Sequence, residues 1–130
     1  MKKLKGIDGK LDDLWSLAVK KRDNYMCRYC HKPTVQSHHI YSRSKRSVRW
    51  SVANGISLCA YHHTLSSEFS AHKTPFSFRD WFVSKVGEKF VEALMIKANH
   101  HSKLTQFEKE YMVKEFEEYL GDTHANLMKK

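Results

Sequence analysis

The 130-residue chain is poor in cysteine, proline and glycine, and it has no long run of apolar residues. An odd count of three cysteines argues against a disulfide framework. No apolar run approaches the roughly 18 residues that a membrane helix needs, so we expect no membrane association. Residues 1–5 are basic but no signal-peptide core follows them, which predicts a cytoplasmic protein.

Acidic residues are scarce in the first half of the chain. Residues 1–60 carry 13 Lys/Arg and 4 Asp/Glu, whereas residues 61–130 carry 10 of each. The whole net charge of +9 therefore lies in the first half, and such a one-sided field attracts polyanions. By charge alone, a nucleic-acid-binding protein and a basic protein without that partner remain equally open.

Helical and β-prone segments alternate along the chain, with no repeat or low-complexity tract. Residues 10–22 have the apolar spacing of an amphipathic helix. Strands are predicted near residues 35–41 and 56–59, joined by a loop, and a further helix is predicted to begin at about residues 59–61. The pattern of residues 73–121 predicts helices only. Together, these segments favour a single α+β domain.

The three cysteines fall into two spaced pairs when His62 is included. Cys27 and Cys30 form a Cys-x2-Cys pair, and Cys59 with His62 has the same spacing. Four such ligands satisfy a structural, tetrahedral Zn²⁺ site with no position left for substrate. The cysteines could instead be small core residues. A c-type haem motif, Cys-x-x-Cys-His at residues 27–31, is a further alternative, but it leaves Cys59 unexplained.

Three histidines have no structural task once His62 is assigned to zinc. Neighbours on a helix point about 100° apart, so His63 would face away from the zinc site. Together with His38 and His39 it could hold a divalent ion and accept a proton from water, as phosphodiester hydrolysis requires. The plainer alternative makes His38 and His39 solvated strand residues.

These histidines resemble the motif of the HNH endonucleases, a family with a ββα-metal fold. The matching residues are the pair His38-His39, Asn54 fifteen residues after His39, and His63 nine residues after Asn54. The resemblance covers about residues 11–72 of a single domain that spans 1–130. A narrower similarity connects the chain to small phage recombination nucleases of the NinG type, which would place it in the host cytoplasm.

The resemblance implies a role for each residue in cleaving DNA. His39 would be the general base, and His38 and His63 would bind a catalytic Mg²⁺, Mn²⁺ or other divalent ion. That ion would stabilise the departing 3′ oxygen, leaving 5′-phosphate and 3′-hydroxyl ends. Asn54 would hold the loop that aims His39.

Two features depart from that pattern. Strict strand alternation places His38 and His39 on opposite faces. Family members often carry another histidine four residues after the last motif histidine, where this chain has Ser67. His72 is a possible substitute, although a loop histidine is its plainer interpretation.

Basic residues between the predicted strands could contact DNA phosphates rather than bases. They are Arg43, Lys45, Arg46 and Arg49. A solvated loop is the alternative. A junction-selective recombination nuclease and a non-catalytic, zinc-stabilised nucleic-acid-binding module remain open as functions, and the sequence does not specify the oligomeric state.

Overall fold

Helices dominate the computed structural model, which describes the backbone of residues 6–128 and the side chains of residues 6–121. The basic N-terminal residues 1–5 lie outside the described residues. An α+β fold is confirmed, with four α-helices and one two-stranded antiparallel sheet in the described part. The elements are α1 (Ile7–Arg22), β1 (Gln36–His39), β2 (Gly55–Leu58), α2 (Pro75–Val86), α3 (Glu88–Ala98) and α4 (Gln106–Met128).

Helix α1 begins three residues earlier than predicted and buries the predicted apolar face. Its buried side chains pack with Trp50 and with α4, because the apolar positions recur at helical spacing. The buried α1 residues are Leu11, Leu14, Trp15, Ala18 and Val19. This cluster lies against one face of the sheet.

Strand β1 is shorter than the sequence predicted. The side chain of Asn54 takes the place of backbone hydrogen bonds beyond His39. His38 pairs with Ile56 and His39 with Gly55 in the antiparallel register. Beyond His39 the side chain of Asn54 bonds both the N–H and the C=O of Tyr41. Strand β1 therefore ends at the second histidine, where the chain turns into the loop.

The helix predicted after β2 is only a five-residue π-helical turn, Tyr61–Leu65. Ser66 then adopts an extended conformation, and its Oγ accepts the N–H groups of residues 68 and 69. Serine favours such local bonds over a continuing helix. The chain folds back, so that Ala71 N–H donates to His62 O (2.9 Å) and His72 N–H to His63 O (3.1 Å).

The last third of the described chain is helical, as predicted. Thr105 and Glu108 form a reciprocal capping box at the start of α4, with bonds of 3.0 and 3.1 Å. Helix α4 is kinked at Gly121 and continues beyond it. Among the described residues, no helix combines the length and apolar character that crossing a bilayer requires.

Candidate active site and metal centres

Three cysteines and one histidine converge beside the end of β2. The ligand atoms of Cys27, Cys30, Cys59 and His62 all lie within 4.8 Å of one another. The Sγ atoms of Cys30 and Cys59 are 3.6 Å apart, close to the roughly 3.8 Å expected between two sulfurs tetrahedrally bound to zinc. His62 Nδ1 lies 3.3 Å from Cys59 Sγ. These four side chains could hold a metal ion such as zinc.

Backbone N–H groups around Cys27 stabilise the thiolate form of its side chain. Burial raises the pKa of the Cys27 thiol, but backbone N–H groups of Cys30, Cys59 and Tyr29 outweigh it, so its pKa is lowered. Burial and the two neighbouring sulfurs raise the pKa of Cys30. One thiolate is thus stabilised while a second is disfavoured unless a cation lies between them, which fits a metal-binding donor set.

Three histidines form a second group, separate from the group that contains His62. The ligand atoms of His38, His63 and His72 also lie within 4.8 Å of one another. His63 Nε2 and His72 Nε2 are 3.2 Å apart. The adjacent residues His62 and His63 therefore belong to different groups, as the sequence predicted.

Gln36 fixes the ring orientation of His63. Its Oε1 lies 2.7 Å from His63 Nδ1, and an amide oxygen only accepts, so Nδ1 carries the proton and the Nε2 lone pair faces His72. Burial and the nearby histidines lower the pKa of His38 to about 3. The rings of His38 and His63 therefore present unprotonated nitrogens, the form that binds metals.

His39 lies on the opposite face of β1 and is held by two contacts. Its ring stacks on Trp15, with centroids 3.7 Å apart and an interplanar angle of 8°. Its Nε2 donates to the carbonyl of Arg49 (2.9 Å), since a carbonyl oxygen can only accept. Burial lowers the pKa of His39. The ring is thus neutral at pH 7, with Nδ1 free to accept a proton.

Asn54 is fully buried and ties the two ends of the loop together. Its Oδ1 accepts from Tyr41 N–H (2.7 Å), and its Nδ2 donates to the carbonyls of Tyr41 (2.9 Å) and Val48 (3.2 Å). Val48 immediately precedes Arg49, whose carbonyl orients His39. Asn54 therefore makes the loop-holding contacts that the resemblance implied.

Arg49 is engaged internally, and its predicted contact with phosphate stays a prediction. Its guanidinium makes two bonds to Asp12 (3.0 and 2.8 Å) and its side chain is 16% exposed. Arg43 and Arg46 are 63% and 55% exposed, with longer ion pairs of 3.6 and 3.9 Å. Arg43, Arg46 and half-buried Lys45 remain available to an anionic partner.

Two residues of the candidate site, Gln36 and Trp15, are missing from the sequence predictions, and a third, His72, was named there only as a possible substitute. His72 reaches His63 only because the chain reverses after the π-helical turn, and Gln36 precedes the histidine motif on β1. Trp15 was assigned to the core alone, although its ring also covers His39. The serines at residues 66 and 70 were the one available signal of the reversal, because their hydroxyls bond the turn.

Gly55 makes the stack between Trp15 and His39 possible. A Cβ at this position would lie 2.6 Å from both Trp15 Cζ2 and Val19 Cγ2, although the backbone itself is ordinary extended chain. We expect Gly55→Ala to destabilise the fold by about 1–3 kcal/mol in chemical denaturation, as overpacking does. Gly6→Ala is the control, because nothing lies within 4 Å of its Cβ. Equal effects of the two substitutions would contradict this account.

Comparison with known proteins assigns no family to the chain. No family model matches it, and neither a curated protein nor a solved structure does. The roles of these histidines and cysteines therefore have to be argued from the chemistry and spacing of their side chains.

Proposed function

We propose that the protein is a divalent-metal-dependent HNH endonuclease that hydrolyses DNA phosphodiester bonds. The observation that carries the proposal is the separation of His62 and His63 into two groups. His62 joins three cysteines, while His63 joins His38 and His72 on the face of β1 opposite His39. Two ligand groups and a neutral, oriented histidine are the parts that a ββα-metal centre with structural zinc requires.

His39 is the general base of the proposed reaction. Its Nδ1 takes a proton from the attacking water, while Nε2–H stays bonded to the Arg49 carbonyl and stabilises the imidazolium that forms. Trp15 keeps the ring in one plane. Asp12 raises the pKa of His39 against the larger effect of burial, and so favours the protonated form once the proton has arrived.

His38, His63 and His72 would hold the catalytic divalent ion through their ring nitrogens. When bound, that ion supplies positive charge to the scissile phosphate and to the departing 3′ oxygen. In-line displacement places the attacking and departing oxygens on opposite sides of phosphorus. The opposite orientations of His38 and His39 suit such a reaction, which would leave 5′-phosphate and 3′-hydroxyl ends.

The cysteine group holds zinc with a structural role. The four side chains would fill all four coordination positions of a tetrahedral zinc ion and leave none for substrate, which is typical of structural sites. Cys27 and Cys30 come from the turn after α1, and Cys59 and His62 follow β2, so a bound ion ties these two segments together. Because His62 is fixed in this way, the next residue along the chain is directed towards His38.

The exposed cations Arg43 and Arg46 would contact the DNA backbone, with Lys45 beside them. Their loop is tied to the site through Asn54, so phosphates bound there would lie near His39. Such contacts position a duplex without reading its sequence.

The proposal predicts that plasmid cleavage requires an added divalent ion in protein that already carries one zinc. His72→Ala should raise the Mg²⁺ or Mn²⁺ concentration needed for half-maximal cleavage by about tenfold or more, while the zinc content stays unchanged. His101→Ala is the matched control, since His101 is exposed and outside both ligand groups. Cleavage is measured by agarose-gel conversion of supercoiled plasmid, and zinc by elemental analysis.

One result would contradict the proposal, and another would change its set of metal ligands. Wild-type protein that binds DNA but cuts none of its forms with Mg²⁺, Mn²⁺ or Ni²⁺ would favour the non-catalytic binding module. An unchanged metal requirement in His72→Ala would remove that residue from the ion site, leaving His38 and His63 as the ligands.

A further inference from the structure

A cleft lies along the outer edge of β2, away from β1. Its volume is about 490 Å³, within the range of small-molecule and nucleotide sites. The turn after α1, at residues 28–31, forms one wall, and the C-terminal half of α2 forms the other. Apart from Gly55, whose small size makes room for Trp15 beneath His39, the proposed hydrolysis uses none of the residues that line this cleft.

Aromatic rings line one side of the cleft. Tyr29 and Phe90 are each 39% exposed, and Trp81 is half-buried beside them. Tyr29 stacks on Phe69 at 4.0 Å between ring centroids and meets the edge of Trp81 at 5.4 Å. These packed rings present a fixed apolar surface against which a planar ligand can stack.

Positive charge at the cleft exceeds the negative charge that lines it, since Arg22, Arg28 and Lys85 share the single carboxylate of Asp23. Arg28 is 53% exposed, and its nearest carboxylate oxygen, on Asp23, is 4.0 Å away. Asp23 is itself buried and already bonded by Arg22 and by Ser57 N–H. Lys85 is exposed at the last turn of α2. The cleft therefore joins aromatic surface to two available cations.

We infer that this cleft binds unpaired nucleotides of a nucleic acid strand, with bases against Trp81 and Tyr29 and phosphates at Arg28 and Lys85. Stacking surfaces beside a basic groove are the general means of holding single strands, because every base has an aromatic face. A purely apolar peptide would leave the excess positive charge of the cleft unbalanced.

The cleft also has a spatial relation to the proposed active site, and this part of the inference rests on the proposed function. Phe78 contacts both sites, with its ring centroid 5.4 Å from His38 and 5.8 Å from Trp81. A strand held in the cleft would therefore lie near the histidine cluster. The substrate class is then DNA with an unpaired segment, such as a flap, a gap or a junction.

Tryptophan emission gives a direct test without cleavage. Trp15 and Trp50 are only 2% and 3% exposed, so a strand in the cleft would quench chiefly Trp81. Zinc-loaded full-length protein, with no other divalent ion added, is titrated with an unlabelled oligothymidylate of about 12 nucleotides. We expect quenching in the wild type and its loss in Trp81→Phe, while anisotropy of a labelled oligonucleotide shows that Trp81→Phe still binds.

Two further variants separate stacking from charge. Trp81→Leu should weaken single-strand binding by roughly tenfold, whereas Tyr111→Leu, at an exposed aromatic on α4, should not. Lys85→Ala should reduce the slope of log affinity against log salt by roughly 0.7, and Lys114→Ala is its control. Matched RNA and duplex oligonucleotides show whether the cleft prefers deoxyribose and whether it needs unpaired bases.

The inference is overturned if quenching persists in Trp81→Phe, if duplex competes as well as single strand, or if Lys85→Ala behaves as Lys114→Ala does. Because binding is measured without the catalytic ion, a protein that binds single strands but never cuts would refute the proposed function alone. A protein that cuts duplex and branched DNA equally, with no single-strand quenching, would refute the cleft alone.

Discussion

His39→Ala is expected to reduce DNA cleavage by about 10²–10⁴-fold, the contribution typical of a general base. The reason is specific to this ring: Nε2 is bonded to the Arg49 carbonyl, so Nδ1 is the nitrogen left to accept a proton. The measurement is single-turnover cleavage of a short duplex at saturating Mg²⁺. Affinity for that duplex, measured without Mg²⁺, should be unchanged.

His39→Gln is the companion variant, because loss of the ring also removes the stack on Trp15. A glutamine amide can still donate to the Arg49 carbonyl, but it supplies no comparable base. Both variants should therefore be inactive, with His39→Gln the closer of the two to wild-type stability. Substantial cleavage by either variant would mean that the base is misassigned.

The convergence of Cys27, Cys30, Cys59 and His62, which could hold a metal such as zinc, could be predicted from sequence because its geometry is local. Cys27 with Cys30, and Cys59 with His62, are pairs within single turns, and spacing within a turn largely decides which side chains converge. The same is true of the division between His62 and His63. The apolar face of α1 is similarly local, and it was predicted correctly.

Residues whose positions depend on tertiary contacts escaped prediction. His72 lies nine residues beyond His63 and reaches it through a reversal, whereas the family resemblance implies a histidine four residues beyond His63, where this chain has Ser67. Arg49 has the sequence context of a phosphate contact, but Asp12 on α1 binds its guanidinium. A loop sequence contains no information on which distant carboxylate will face it.

Strand alternation predicts that His38 and His39 lie on opposite faces of β1, which the sequence could not reconcile with one shared site. The structure offers a physical explanation. His38 and His39 do face opposite sides of β1, one towards the histidine cluster and one towards Trp15. A single metal site could not use both, but a base and a metal ligand belong on different sides of a phosphate undergoing in-line displacement. The alternation therefore supports the division of roles, and Gly55 provides the space that Trp15 needs beneath His39.

Removal of Cys30, a proposed zinc ligand, is expected to unfold the protein. Binding of structural zinc contributes an apparent free energy of about 10–16 kcal/mol in small domains, which matches or exceeds a typical net stability of about 5–15 kcal/mol. Cys30→Ser should therefore abolish zinc binding, measured by elemental analysis, and remove the cooperative thermal transition seen by circular dichroism. His31→Ala, at the exposed neighbouring residue outside the ligand group, is the control and should retain both.

A strong chelator separates this prediction from the alternative that the cysteines are ordinary core residues. If zinc joins the turn after α1 to the segment after β2, chelation of the wild-type protein should cause the same unfolding, and added Zn²⁺ should reverse it. If the cysteines only pack, chelation should have no effect, and Cys30→Ser should cost no more than about 1–3 kcal/mol. Loss of zinc should also abolish DNA cleavage even with abundant Mg²⁺, because the unfolded chain would no longer hold His63 beside His38.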